Sequence, residues 1–426
     1  MLDALWMTYG RRSRRLAGLG LTGLALLMPA TAGAQGASSA SALDGNGPST
    51  WPDRPTVSLG GHGTLELRAR VQSQFVVRDD TAEPGALLSL DERLAFQRGR
   101  VGVAGELFDR VEFQIERDMQ STRPWRDVFA DVTISRQLHV RAGHFKVPFS
   151  REQLTSMYES DFTRRSAAVD ELAPARGTGV MVHGQVADRA VKYQAGVFEE
   201  ARQPRWTKGG PRLFAGRITV SPIRKGRHRG SDTLQVSAAW LRRPVSEGRT
   251  SPNGTMVMGT RFFEPVYANG SQTLIGGGAA WTVPEVTVAG ELMQASDTRT
   301  GQAMSGGDLS NLVSRGGYAS AAWHVIRGKG GRRGRAPFRE IDLTGRWDWL
   351  HFGSANATDT PSRSPRADHV APLAKRTLTL GVTWRLNRWM AVHTNAVRER
   401  VVDSLGLYPV AVTPTWSAVV RSQVDM

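Results

Sequence analysis

The chain of 426 residues contains no cysteine. This absence excludes a disulfide-stabilised scaffold and any metal or redox site built on thiolates. Beyond the N-terminus, no apolar run reaches the length of about 18 residues that a membrane-spanning helix needs. Enzyme signatures are also missing: there is no Walker glycine loop, no Gly-x-Ser-x-Gly and no histidine pair at metal-binding spacing. We therefore expect no enzyme, no metal site and no cofactor.

The N-terminus has the three parts of a secretion signal. Four arginines between positions 11 and 15 precede a short apolar stretch, residues 16–28, and Ala32-Gly33-Ala34 provides a small-residue cleavage site. Residues 35–57 are rich in Ser, Ala, Gly and Pro, which is typical of a flexible segment. We therefore predict a signal peptide at 1–34, a flexible segment at 35–57 and one folded domain at 58–426.

Strict alternation of polar and apolar residues begins at Gly63. Leu65, Leu67 and Val71 fall on one face, whereas Arg68 and Arg70 fall on the other. Alternation over more than about ten residues indicates a β-strand, and it matches the length of a transmembrane strand with one face to lipid and one to the lumen. Similar segments recur along the chain near 92–106, 109–119, 126–135, 137–146, 178–187, 190–198, 211–221, 232–242, 273–283, 285–296, 317–327, 339–352, 376–386, 388–401 and 415–426. Together they predict an all-β fold, a sixteen-stranded antiparallel transmembrane barrel.

The connections alternate between short and long, as expected when short turns lie in the periplasm and long loops lie outside. The third external connection, residues 147–177, is too long for an ordinary loop, and we predict that it folds inward and constricts the barrel. Two connections on the short side, residues 223–230 and 327–335, are rich in Gly and Arg. They could be solvated turns, contacts to lipid headgroups or a funnel for anions.

Arginine dominates the predicted inner face. The inward-phased arginines are Arg68, Arg70, Arg98, Arg100, Arg141, Arg217, Arg346, Arg385 and Arg421. A guanidinium stays charged and presents a planar fork of donors that suits phosphate and carboxylate. Carboxylates share the same faces, at Glu66, Glu106, Glu112, Glu116, Asp127, Asp131, Asp342 and Asp348. Each arginine could therefore line an anion path or brace the wall, and the sequence leaves both open.

The formal net charge is +16, and removal of the predicted signal peptide, with four Arg and one Asp, leaves +13. Such an excess favours an anionic partner, namely small anions, lipid headgroups or nucleic acid. Export makes nucleic acid the least suitable of the three. We expect small anions and outer-membrane lipid as partners.

Several motifs resemble the phosphate-selective porin O and P family. They are Phe96-Gln-Arg-Gly-Arg-Val-Gly-Val-Ala-Gly105, Gly143-His-Phe-Lys-Val-Pro-Phe-Ser-Arg-Glu-Gln-Leu-Thr-Ser156, Phe162-Thr-Arg-Arg-Ser166, Pro174-Ala-Arg-Gly-Thr-Gly179 and Val419-Val-Arg-Ser-Gln-Val-Asp425. The resemblance implies a barrel in the bacterial outer membrane, a homotrimer, an inward third loop and basic residues at a constriction that passes phosphate or polyphosphate. Two departures stand out: Gly99 separates Arg98 from Arg100 where the family often has adjacent arginines, and the chain ends in Met426 and not in an aromatic residue.

Phase and resemblance together name two sets of candidate residues. The candidate anion path comprises Arg68, Arg70, Arg98, Arg100, Arg141, Lys146 and Arg217. The candidate constriction loop contributes Arg151, Arg164, Arg165 and Arg176. The function predicted is passive, anion-selective diffusion with phosphate or pyrophosphate favoured. The alternatives are a general or weakly anion-preferring porin, and a structural or adhesive barrel plugged by its loops.

Overall fold

The computed structural model describes residues 54–79, 90–199, 210, 212–224, 233–250, 254–257, 262–263, 266–326, 340–354, 373–387, 389–403 and 414–426. The predicted signal peptide, the flexible segment up to residue 53, most of the connection at 223–230 and all of that at 327–335 lie outside this range.

Seventeen strands account for most of the described residues. In chain order they are β1 (Thr56–Ser58), β2 (Gly63–Asp79), β3 (Leu90–Leu107), β4 (Val111–Asp118), β5 (Trp125–Thr133), β6 (His139–Lys146), β7 (Arg176–Val186), β8 (Val191–Glu199), β9 (Leu213–Arg224), β10 (Thr233–Thr250), β11 (Tyr267–Thr282), β12 (Val286–Arg299), β13 (Leu309–Ile326), β14 (Glu340–Ser354), β15 (Leu373–Arg385), β16 (Met390–Asp403) and β17 (Thr415–Asp425). A 3₁₀ turn, Gly60–His62, follows β1, and two short helices, α1 (Arg151–Leu154) and α2 (Ala167–Leu172), lie between β6 and β7.

Strands β2 to β17 form a closed barrel. Each pairs antiparallel with the next along the chain, and β17 closes the ring by pairing with β2. The predicted sixteen-stranded antiparallel barrel is therefore confirmed. β1 is an additional short strand on β2. Arg54 donates to Glu66 and to Asp425, so the four residues 54–57 are held against the wall, although the sequence predicts them to be part of the flexible segment.

Some strands are longer than the sequence predicts. β10 continues to Thr250 and β11 already begins at Tyr267, so the long predicted loop at 243–272 is reduced to residues 251–266. β13 similarly begins at Leu309, well before residue 317. Alternation is lost in these outer parts because Gly, Ser and Asn replace apolar residues there. Backbone pairing to the neighbouring strand extends the wall nonetheless.

The two faces of the wall differ as the alternation predicts. Apolar side chains such as Val101, Leu292 and Leu380 are exposed on the outer face, whereas charged and polar side chains are buried on the inner face. The largest apolar cluster lies inside the barrel, where residues of the β6–β7 connection and Phe262 and Phe263 pack against inward side chains of β5 to β16. One part of the interior is thus apolar and filled.

Candidate functional site

The β6–β7 connection, residues 147–175, lies inside the barrel; we call it the constriction loop. Its polar contacts reach inward side chains of β9, β12, β14, β15, β16 and β17, which are far apart around the ring. The sequence predicts a loop without regular structure, and this is wrong in one respect, because the loop contains α1 and α2. Both helices are too short to be visible as hydrophobic periodicity.

Glu291 on β12 fixes the beginning of the loop. Its carboxylate accepts hydrogen bonds from Ser150 Oγ at 2.8 Å, from the backbone nitrogen of Arg151 at 2.6 Å, from that of Glu152 at 3.0 Å and from the Tyr318 hydroxyl at 3.1 Å. Ser150 in turn caps α1 by accepting from the backbone nitrogen of Gln153. The wall carboxylate therefore satisfies backbone donors at the start of α1 that have no partner within the helix.

A second anchor joins α1, α2 and β14. The Glu152 carboxylate accepts from the Ser166 hydroxyl at 2.7 Å and from Arg346 Nη1 at 2.8 Å. Asp348, two residues further along β14, accepts from the backbone nitrogen of Ala167 at 3.1 Å. Two neighbouring inward residues of one strand thus hold both ends of the segment between the helices.

The apolar side of the loop packs closely on the wall. Ala168 is fully buried, and a Cβ added at Gly316 on β13 would lie 2.7 Å from the Ala168 Cβ. Glycine at 316 therefore allows α2 to approach the strand. Phe149 also lies close to Gly276 on β11, where an added Cβ would be 3.1 Å from its ring.

Most arginines of the candidate anion path brace the wall. Arg68 pairs with Glu66 at 2.8 Å, Arg100 with Asp118 at 3.0 Å and Arg141 with Asp131 at 2.6 Å. Arg70 bridges Glu116 and Asp425 at 3.2 and 3.1 Å, and Arg176, from the predicted loop set, pairs with Asp127 at 2.7 Å. These five cations therefore have carboxylate partners within the wall.

Three other candidates contact the constriction loop. Arg217 donates to the Phe149 carbonyl and to Ser237 Oγ, while Lys146 donates to the Leu154 carbonyl. Arg151 bonds Glu291 through its backbone nitrogen only. Because Arg217 and Lys146 donate to backbone carbonyls of the loop, they hold the loop in position.

Arg98 and Arg421 differ from the rest because neither has a carboxylate partner among the described residues. Arg98 Nη1 donates to Gln72 Oε1 at 2.6 Å, and Arg421 Nη2 donates to Gln74 Oε1 at 3.3 Å. Arg421 is only 2 % exposed, and within the described part of the chain its Nε and Nη1 donate to nothing. The two guanidinium groups are close enough to each other to repel electrostatically.

Two loop arginines complete this group, which we call the open arginine cluster (Arg98, Arg164, Arg165 and Arg421). Arg164 and Arg165 both lie within electrostatic range of Arg421. Arg165 donates to the carbonyls of Glu152, Gln153 and Thr155, and Arg164 donates to the Val257 carbonyl, with Asp170 3.6 Å away. Four cations thus converge where the loop meets β3 and β17, and among the described residues only Arg164 has an ion-pair partner, Asp170.

Tyr158 lies beside the open arginine cluster. Its ring lies 5.0 Å from the Arg70 guanidinium and 5.7 Å from that of Arg100, and its carbonyl accepts from Gln423 at 2.8 Å. Burial raises the pKa of the Tyr158 hydroxyl to about 12 despite the nearby arginines. The hydroxyl remains protonated at neutral pH, and it donates to no described residue.

Burial also changes the pKa of charged groups within the loop. It raises the pKa of Glu152 above its ordinary value even though Arg346 opposes the shift, and it raises that of Asp161 in the same way against Arg385. Burial likewise lowers the pKa of Arg165, with Glu152 opposing. Protonation of either acid therefore favours the inward position of the loop.

A cleft between the loop and β14, β15 and β16 is lined by Arg164 and Arg165 among others. Its remaining cations are matched by acids: Arg346 bonds Glu152 and Asp348, and Lys375 pairs with Glu399 at 2.9 Å. The cleft therefore has both signs of charge and shares two arginines with the open arginine cluster.

Sequence reasoning missed several residues of the site. Tyr158, Glu152 and Glu291 carry no signal of their own, since they acquire roles only through contacts with distant segments. Arg421 is different: its inward phase places it among the inner-face arginines, although the candidate anion path does not include it. Asp118, which pairs with Arg126 at 3.1 Å, lies on β4 at an inward position that alternation could have found.

Within the described ranges, no group of three or more His, Asp or Glu side chains is arranged to hold a metal ion. No described helix is long and apolar enough to cross a membrane.

Comparison with solved structures shows the fold. OmpT of Vibrio cholerae aligns with a TM-score of 0.54 at 10% identity over 87% of this chain and 100% of its own. The outer membrane channel DcaP of Acinetobacter baumannii gives 0.53 at 8% identity over 87% and 99%. An anion-selective porin from Comamonas acidovorans gives 0.52 at 14% identity over 85% and 100%.

No protein of curated function shows significant sequence similarity to the chain. A family model does match: the model described as phosphate-selective porin O and P covers residues 66–400, more than half of the sequence. The closed barrel with its polar inner face is the architecture that such a protein requires. The chain therefore belongs to the phosphate-selective porin O and P family, and it is a bacterial outer-membrane channel and not an enzyme.

Proposed function

We propose that this porin passes small anions by passive diffusion and favours phosphate or pyrophosphate. The observation that carries the proposal is the open arginine cluster, whose members Arg98 and Arg421 have no carboxylate partner among the described residues. An anion with several oxygens could accept from both, and from Tyr158 beside them. Hydrogen bonds to charged groups contribute about 1.5–3 kcal/mol each, more than neutral ones.

The arrangement also suits conduction. Anion passage needs sites that bind well enough for entry and weakly enough for exit. The braced arginines Arg68, Arg70 and Arg100 line the wall, and carboxylates offset most of their positive charge. They would therefore bind anions only weakly. The open arginine cluster adds one stronger site at the constriction loop. Conduction would then proceed along the braced arginines and through this site.

Reversal potentials of single channels in a KCl gradient test the proposal. Wild-type channels should be anion-selective, and added phosphate should block chloride current. Arg98→Gln and Arg421→Gln should each weaken the phosphate block about tenfold, the equivalent of about 1.4 kcal/mol. Arg117→Gln is the matched control, since Arg117 is exposed on the outer face of β4 and removes the same charge. Equal block in all four proteins would refute the role of the cluster.

The alternative is a weakly selective porin whose arginines only brace the wall. Seven of the candidate arginines have a carboxylate within 3.8 Å, which favours this alternative for those seven residues. It predicts a small reversal potential in the wild-type protein and no block by phosphate. The same recordings therefore separate the two functions. We also propose that the protein assembles as a homotrimer, which cross-linking in native membranes would test.

A further inference from the structure

An arginine-rich patch lies on the outer, lipid-facing surface of β13 to β16. Its members are Arg315 on β13, His351 on β14, Arg376 on β15, and Arg398 and Arg400 on β16. All lie at outward positions, as alternation with the buried neighbours shows, and the four arginines are exposed. We call these five residues the outer basic patch.

The pairing register places like charges directly opposite each other. Arg376 is the cross-strand partner of Arg400, so two guanidinium groups face each other, whereas Arg315 faces the neutral imidazole of His351. Like charges at directly opposed positions destabilise a sheet. No outward position that the structure describes on β12 to β17 carries a carboxylate to offset the repulsion. Among the described residues, the partners are neutral: Gln294 accepts from Arg315 at 2.7 Å, and Arg398 lies 5.7 Å from the Trp416 ring.

The patch lies at the level of the outer membrane interface. Arg376 is near the end of β15 that adjoins the long β14–β15 connection, which is the external side of the barrel. Trp349 and Trp416 lie on the outward face at the same end, while Trp281, Trp323 and Trp384 lie at the opposite end. Aromatic residues mark both interfaces of a membrane barrel. The arginines therefore lie where lipid headgroups are, and not in the hydrocarbon layer.

The distance along β15 between Arg376 and Trp384 agrees with a position of the patch at the membrane interface. Arg376 and Trp384 are separated by eight positions on β15. At about 3.4 Å per residue and a tilt of about 40°, this spans about 20 Å across the membrane, close to the height of the apolar band. A guanidinium near the interface costs far less than one at the midplane.

We propose that the outer basic patch binds the phosphate groups of the glycolipid that forms the outer leaflet. A phosphate between Arg376 and Arg400 removes their mutual repulsion and accepts from both forks. The acyl chains of the glycolipid lie along the apolar positions nearer the membrane centre, Leu378 and Leu380, which are exposed on the same face. The proposal concerns the outer surface and is independent of which ion the lumen passes.

Native mass spectrometry of the full-length protein in detergent, titrated with diphosphoryl lipid A, tests this inference. Arg376→Gln/Arg400→Gln should bind lipid A about thirtyfold more weakly than wild type, since each interfacial arginine contributes about 1 kcal/mol of attraction. Arg117→Gln is the matched control, because Arg117 is a lone outward arginine beside Trp125 and should leave binding unchanged. Arg398→Gln leaves Arg376 and Arg400 intact and should weaken lipid A binding less than the double substitution does.

Two further arms identify the ligand. Lipid A stripped of both phosphates should bind all variants equally weakly, and inorganic phosphate should not displace diphosphoryl lipid A from wild type. Displacement by inorganic phosphate would mean a site for the free ion and would overturn the lipid assignment. Equal binding of diphosphoryl lipid A to wild type and Arg376→Gln/Arg400→Gln would overturn the inference altogether. If the double variant fails to fold, equal binding of diphosphoryl lipid A to wild type and to Arg376→Gln alone would overturn the inference.

Discussion

Glu291→Gln should release the constriction loop while leaving the barrel closed. The carboxylate accepts from three donors of the loop, Ser150 Oγ and the backbone nitrogens of Arg151 and Glu152, and from the Tyr318 hydroxyl. Glutamine keeps one acceptor oxygen and replaces the other with a donor. The two hydroxyls can turn to accept from the new amide, but a backbone N–H cannot. At least one of the two backbone nitrogens therefore loses its partner.

The free energy that attachment of the loop loses in Glu291→Gln follows from these contacts. One buried unsatisfied N–H costs about 1–3 kcal/mol, and each bond that changes from charged to neutral loses about 1 kcal/mol. The net loss is about 3 kcal/mol, which raises the population of the detached loop roughly hundredfold. Removal of the charge also takes away the carboxylate that lies 3.8 Å from Arg217.

Tryptic cleavage at Arg164 or Arg165 reports the detached population, because cleavage of a rapidly opening segment follows its opening equilibrium. The cleavage rate should rise roughly hundredfold in Glu291→Gln, and single-channel traces should show larger conductance levels. Glu285→Gln, an exposed position in the turn before β12, is the control and should behave as wild type. Cleavage and conductance unchanged in Glu291→Gln would refute the view that this carboxylate holds the loop.

Two further predictions concern the wall and pH. Arg141→Gln should lower the free energy of barrel unfolding by about 3–5 kcal/mol, because it removes the guanidinium partner of buried Asp131. Thermal unfolding measures this loss, and the second substitution Asp131→Asn should restore most of the lost stability. Burial raises the pKa of Glu152, so protonation of this side chain stabilises the inward loop. That contribution is fully present below pH 4.5, the ordinary pKa of a glutamate, and it is lost as the pH rises through the raised pKa. The ratio of the tryptic cleavage rate of wild type to that of Glu152→Gln should therefore rise with pH over that window, and a constant ratio would contradict the assignment.

Alternation alone was sufficient to predict the barrel and its inner face. Leu65 to Val71 already separate lipid-facing from inward-facing positions, and the same rule places Arg98, Arg141 and Arg217 inside. It could not distinguish Arg98 from Arg100, which lie two residues apart on one face. Their difference depends on Asp118, which pairs with Arg100, and on the absence of such a partner opposite Arg98.

The constriction loop was predictable in position but not in detail. Its length and its place as the third external connection follow from strand counting. Its anchors do not, because Glu291 and Arg346 lie 141 and 194 residues away from Ser150 and Glu152, respectively. No local pattern encodes a contact over such a separation. The outer basic patch is similar: each arginine is visible in the sequence, but the opposition of Arg376 and Arg400 requires the register.

The seam between β17 and β2 has a consequence for assembly. Asp425, at the end of the last strand, pairs with Arg70 and Arg54, and Gln423 donates to the Tyr158 carbonyl in the constriction loop. These partners come from both ends of the chain and exist together only after the ring has closed. The contact between Gln423 and the constriction loop therefore forms only after the ring has closed, so closure of the seam and this part of the loop's position are coupled.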